Sequence, residues 1–180
     1  MSIIIFKIFQ CLVADNLQGI KKQYFDACYQ GNYQDLKIIL GEMLLKNIRI
    51  DIKDKEGLTG LLNAAYHGHE EVVKLLLNNN ANIEARTPKN STPLLLASQK
   101  GHLPVVKHLI QNGAKIEAGQ SNSNTPLSWA AQNGHIEIVN YLIDQGANLE
   151  AKNFKGATPI ILASQTGHLG VSHKRINFYL

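Results

Sequence analysis

The stretch NSTPLLLASQKGHLPVVKHLIQNGAKIEA, residues 90–118, decides the fold. Thr92 stands where a side-chain oxygen accepts from the free backbone donors of a helix start, and Pro93 suits the first helical position, where no donor is needed. Gly101 supplies a left-handed residue to end that helix. A second helix opens near Leu103, with Pro104 in its tolerant first turn, and Gly113 ends it. Val105, Val106, Leu109 and Ile110 give the second helix one apolar face.

Outward from this stretch the pattern returns every 33 residues. Thr59, Thr92, Thr125 and Thr158 are in step, as are Gly68-His69, Gly101-His102, Gly134-His135 and Gly167-His168. The second-helix face recurs as Val72, Val73, Leu76, Leu77 and as Ile138, Val139, Leu142, Ile143, with Asn80 and Gly146 at the left-handed end. Ala64-Ala65, Ala97-Ser98, Ala130-Ala131 and Ala163-Ser164 keep the first helices thin. A fixed period of this length means a solenoid of stacked helix pairs, none of which buries its apolar face alone.

These residues resemble the ankyrin repeat, which runs Thr-Pro-Leu-His, Ala-Ala, Gly-His, a Val-Val/Leu-Leu helix and Gly-Ala. The likeness covers 54–171 closely and 23–53 loosely. It implies an all-α solenoid of helix-turn-helix units with protruding β-turns. The expected organisation is an extension (1–22), a degenerate first repeat acting as a cap (23–53), repeats at 54–86, 87–119 and 120–152, and an incomplete fifth unit with a divergent tail (153–180). Residues 3–20 read as an amphipathic segment covering the first repeat. That repeat carries four extra residues, which lengthen its second helix. After Val171 the pattern fails, since Ser172 and Arg175 occupy positions of buried aliphatics, and a truncated or frame-disrupted longer array is expected. Two further departures stand out. The histidine of Thr-Pro-Leu-His is replaced by Leu62, Leu95, Ser128 and Ile161, which removes a recurrent local hydrogen bond. Glu84, Glu117 and Glu150 replace an asparagine that is hydroxylated in some members, which argues against that modification.

The 180 residues are 44% hydrophobic with a formal net charge of +4. Lys and Arg are scattered, with no run beyond pairs such as Lys21-Lys22 and Lys174-Arg175, so no basic stripe for nucleic acid is visible. The apolar start lacks a preceding positive charge, is interrupted by Lys7 and Gln10, and has no small-x-small cleavage site, so a signal peptide is not expected. No stretch reaches the length of a membrane span. Cys11 and Cys28 read as reduced thiols of a cytoplasmic protein, with Cys28 at a small-residue position of the frame.

The four Gly-His histidines lie a unit apart and cannot converge on one metal. His67, His108 and His173 follow no ligand spacing, and there is no Cys-x-x-Cys, phosphate loop or nucleophile elbow. No catalytic, metal or cofactor-binding residue is therefore expected, and the chain does not read as an enzyme.

In a fixed frame, function lies in the residues that vary. The resemblance implies partner binding on the concave side, at the turn tips Leu58, Lys89, Asn122 and Phe154 and at the first-helix positions Asn63, Tyr66, Leu96, Gln99, Trp129, Gln132, Leu162 and Gln165. Trp129, the single tryptophan, reads either as an exposed anchor or as packing against Leu96 and Leu162. The expectation is a monomeric, scaffold-like protein-binding module that takes no nucleic acid and no membrane. The alternative is a targeting or regulatory arm of a larger enzyme or secreted effector.

Overall fold

The computed structural model describes residues 2–168 as helix pairs joined by protruding turns, and no strand is assigned among them. The helices are α1 (Ser2–Gln30), α2 (Tyr33–Leu45), α3 (Gly60–His67), α4 (Glu70–Asn78), α5 (Pro93–Lys100), α6 (Leu103–Gln111), α7 (Pro126–Gln132), α8 (Ile136–Asp144) and α9 (Pro159–Gln165). The first helices α1, α3, α5, α7 and α9 stack side by side, and α2, α4, α6 and α8 form a second, looser row. The chain is thus an all-α solenoid.

Local chemistry sets each boundary. The hydroxyls of Thr59, Thr92 and Thr125 accept from the backbone N–H of Leu62, Leu95 and Ser128 at 3.4, 3.3 and 3.2 Å. Helix starts that lack the family's histidine are therefore still capped, and Leu62 and Leu95 use the position for burial, at 0% exposure. Thr158 makes no such cap bond, and its hydroxyl is buried without a partner among the described residues.

Gly101 ends α5 at φ 85°, where a left-handed backbone disfavours any Cβ. Space forbids one as well, since a Cβ there would lie 2.7 Å from Cε1 of His135 in the next unit. Asn80, Gly113 and Gly146 turn the second-helix ends at φ 63°, 87° and 88°.

Helices α3 to α9 have seven to nine residues each, a length at which an isolated helix is marginal in water. Stability must come from the interfaces. Ala64, Ala65, Ala97, Ser98, Ala130 and Ala131 are fully enclosed between first helices. Val73, Leu76, Val106, Leu109 and Leu142 form part of one continuous core with them. Burying each large aliphatic contributes about 1.5–3 kcal/mol.

Ser2–Gln30 is one continuous 29-residue helix, so residues 3–20 and the boundary at 22 lie within the first helix of the array. No proline interrupts this stretch, and its one internal glycine before the helix end, Gly19, meets nothing within 4 Å. The four extra residues are absorbed in α2, which has 13 residues against nine in α4, α6 and α8. The Tyr24 hydroxyl donates to the Ile50 carbonyl at 2.8 Å and, with Cys28, fills the space that Gly60 leaves open. Burial pushes the free Cys28 thiol up to about 12, the state of an inert, packed cysteine. The divergent tail from Ser172 lies outside the described residues. Among the described residues no helix is long and apolar enough to cross a membrane.

Gly101→Ala is expected to lower stability by about 1–2 kcal/mol from backbone strain alone, with the His135 contact adding to it. Gln111→Ala, on the exposed side of α6, should stay within about 0.5 kcal/mol of the parent. Urea unfolding followed by circular dichroism compares them, and equal midpoints would contradict a helix boundary at Gly101.

Candidate functional site

Four turn tips project from the first-helix row, each closed by the same pair of backbone bonds. In the second of them Thr87 N–H donates to the Ser91 carbonyl at 3.0 Å and Asn90 N–H to the Thr87 carbonyl at 2.8 Å. The apex residues Gly57, Asn90, Ser123 and Gly156 all have positive φ, between 60° and 79°. Adjacent tips are bonded as well, Ser121 N–H to the Lys89 carbonyl at 3.3 Å and Phe154 N–H to the Asn122 carbonyl at 3.2 Å.

The first helices are tied across units at their carboxy-terminal carbonyls, which a helix leaves unpaired. The ring Nε2 of His69, His102 and His135 donates to the carbonyls of Tyr29, Tyr66 and Gln99 at 2.8, 3.0 and 3.0 Å. A carbonyl partner requires the proton on Nε2, so the Gly-His histidines serve as structural donors. In the last pair Thr166 Oγ1 donates to the Gln132 carbonyl at 2.9 Å. A second ladder runs through the loops. Asp51, Glu84 and Glu117 accept from the backbone N–H of Asn82, Lys115 and Asn148 at 2.9, 2.8 and 2.8 Å. The glutamates at the departure from the family asparagine thus bind the next unit's loop.

Between tips and first helices lie two neighbouring concavities, of about 630 and 620 Å³. The first is lined by Leu58, Asn63, Tyr66, Lys89, Leu96, Gln99 and Trp129 among others. The second takes in Asn122, Gln132, Phe154, Leu162 and Gln165, again with Trp129. All twelve positions carried over from the sequence therefore line one or both, and Trp129 forms the wall they share.

Their exposures differ. Asn63, Leu96 and Leu162 are only 7–9% exposed and make the floor. Asn63 is further tied down, its Nδ2 donating to Asp54 Oδ2 at 3.2 Å. Trp129, at the same place in its unit, is half-buried and donates its indole N–H to Gln120 Oε1 at 3.2 Å. Trp129 lines both concavities, the first together with Leu96 and the second together with Leu162. Phe154 is 78% exposed at its tip.

Tyr29 and Gln120 also line the first concavity and escaped the sequence reading. For Tyr29 the signal was present. Ala27-Cys28-Tyr29-Gln30-Gly31 matches Ala64-Ala65-Tyr66-His67-Gly68, but the four-residue insertion in α2 breaks the interval. Tyr29 and Tyr66 flank the His67 ring, with centroids at 4.3 and 5.0 Å, and Lys100 Nζ sits 4.4 Å over Tyr66. Burial, then the neighbouring His69, His102 and Lys100, holds the His67 imidazole below its ordinary value. Burial lowers His102 too, partly offset by its bond to the Tyr66 carbonyl.

The family model described as ankyrin repeats (3 copies) matches residues 25–120 and again 116–173. No match was found among curated proteins.

Because the folded state lowers the affinity of His67 and His102 for protons, their neutral forms favour folding above the ordinary histidine value of about 6.5, and this contribution is lost as pH falls through the depressed values. The urea midpoint should therefore drop between pH 7.5 and 5.5, and less steeply in His67→Gln. A midpoint that is flat or rises on acidification would contradict the packing of these rings.

Proposed function

The chain belongs to the ankyrin-repeat family, and from that premise we propose that it is a non-catalytic protein-binding module whose concave surface receives one segment of a partner protein. Ankyrin repeats are generally protein–protein interaction modules. The observation that carries the reading is the lining of the two concavities: the positions that vary within a repeating frame converge there, with Trp129 between them. A half-buried tryptophan at the centre of a groove, over an aliphatic floor, is the usual form of a binding hot spot.

The partner is a protein and not a nucleic acid. Glu56 and Lys89 balance each other in the first concavity, and Lys155 is the Lys or Arg of the second. A surface that binds phosphates needs several cations on one face.

Trp129→Ala is expected to keep most of the helicity and to weaken partner capture by about 2 kcal/mol or more, roughly thirtyfold. His135→Ala removes the bond to the Gln99 carbonyl and should cost about 1 kcal/mol of stability while leaving affinity intact in the folded fraction. Capture from lysate and melting temperature, measured on both variants, separate the two effects. A folded Trp129→Ala that holds the same partners at the same strength would remove the groove from consideration.

A further inference from the structure

The side-chain amides of the groove fall into two sets. Asn63 and Gln120 are engaged with Asp54 and Trp129, Asn153 donates to Asn124, and Asn122 accepts from the Asn124 backbone N–H. Gln99, Gln132 and Gln165, one per first helix at 33-residue intervals, line the concavities with side-chain amides that make no hydrogen bond among the described residues. Each offers two N–H donors and one acceptor on the concave face.

We propose that the groove receives a proline-rich segment in the polyproline II conformation, laid across the first helices from Tyr66 past Trp129. The inference rests on the protein-binding reading above and names its ligand class. A polyproline II chain has no internal backbone hydrogen bonds, and its prolines present carbonyls with no competing N–H, so it needs donors from its receptor. A bound helix satisfies its own backbone and would leave the three amides unused. An added strand needs a free backbone edge, and the second, third and fourth tips are bonded to one another at Lys89–Ser121 and Asn122–Phe154.

The spacing fits as well. Packed helices lie about 8–10 Å apart, and polyproline II advances about 9 Å in each three-residue turn. A carbonyl at every third residue can therefore meet one glutamine on each successive first helix. The intervening faces of the ligand lie against Tyr66, Trp129, Leu58 and Pro88, an aromatic and apolar lining of the kind that accepts proline rings. The balance of Glu56 against Lys89 gives the first concavity no net charge from these two side chains, which suits an uncharged segment.

The test is selection from a random twelve-residue peptide library displayed on phage, run in parallel on the full-length protein and on Trp129→Ala. The expected binders depend on Trp129 and carry prolines three residues apart. The leading clone, made as a synthetic peptide, should shift the Trp129 indole N–H resonance of the unmodified protein and bind the Gln99→Leu/Gln132→Leu variant at least tenfold more weakly. Circular dichroism and the urea midpoint of that variant establish that it is folded. Trp129-dependent binders without paired prolines, or unchanged affinity for the glutamine variant, would overturn the polyproline assignment and leave the groove reading standing. A library that yields no Trp129-dependent binder would overturn both.

Discussion

The backbone carbonyl at the end of α1, α3, α5 and α7 has no partner within its own helix, and the next unit supplies one. His69, His102 and His135 reach back to Tyr29, Tyr66 and Gln99 at 2.8–3.0 Å, and Thr166 does the same for Gln132. The geometry works only because Gly31, Gly68, Gly101 and Gly134 have no side chain where the following histidine ring lies. In Gly68-His69, Gly101-His102 and Gly134-His135 the two residues thus serve different contacts: the glycine ends its own helix and admits the next unit's ring, while the histidine turns back to the previous unit. With Asp51, Glu84 and Glu117 tying the loops together, each of the first three interfaces is held at two places beyond its apolar core. In a linear array of this kind each unit's stability comes largely from its neighbours.

That frame determines what the concave face can do. One row of positions, Asn63, Leu96, Trp129 and Leu162, lies at the same place in successive first helices. Asn63 bonds its own tip, the two leucines form the floor, and Trp129 bonds its own tip through Gln120 while keeping part of its ring open. The bond to Gln120 fixes the indole before any partner arrives, so less side-chain freedom is lost on binding. The neighbouring row changes from Tyr29 and Tyr66 to Gln99, Gln132 and Gln165, and the groove accordingly runs from an aromatic end to an amide-rich one.

Most of the fold was legible because its determinants are local. Thr-Pro at the helix starts, Gly at the ends, Asn80 as a left-handed substitute and the paired aliphatics of the second helices each act within a few residues, and the period repeats them. What escaped depends on contacts between units or on a broken interval. Tyr29 was hidden by the four residues added to α2. The carboxylate ladder joins residues 31 apart, and Glu84 and Glu117 could be recognised only as departures from a familiar pattern. The Trp129–Gln120 bond requires knowing how a tip folds over its own helix. The continuity of α1 rests on a negative signal, the lack of any proline between Ser2 and Gln30, which the period does not mark. The groove positions were readable from register, but their depth was not: burial of Leu96 and Leu162 depends on how closely neighbouring helices approach.

Removing one whole unit tests most directly whether the register itself holds the array together. Deleting 87–119 joins Arg86 to Gln120, returns His135 to the Tyr66 carbonyl and presents Glu84 to the Asn148 amide, so every type of inter-unit bond can re-form. Deleting 87–102 instead removes a first helix and leaves α6 without its partner. Urea unfolding followed by circular dichroism should show the first variant retaining its helicity per residue and a single cooperative transition at a lower midpoint, while the second loses both. An in-register deletion that unfolds the chain as completely as the removal of 87–102 would contradict the account.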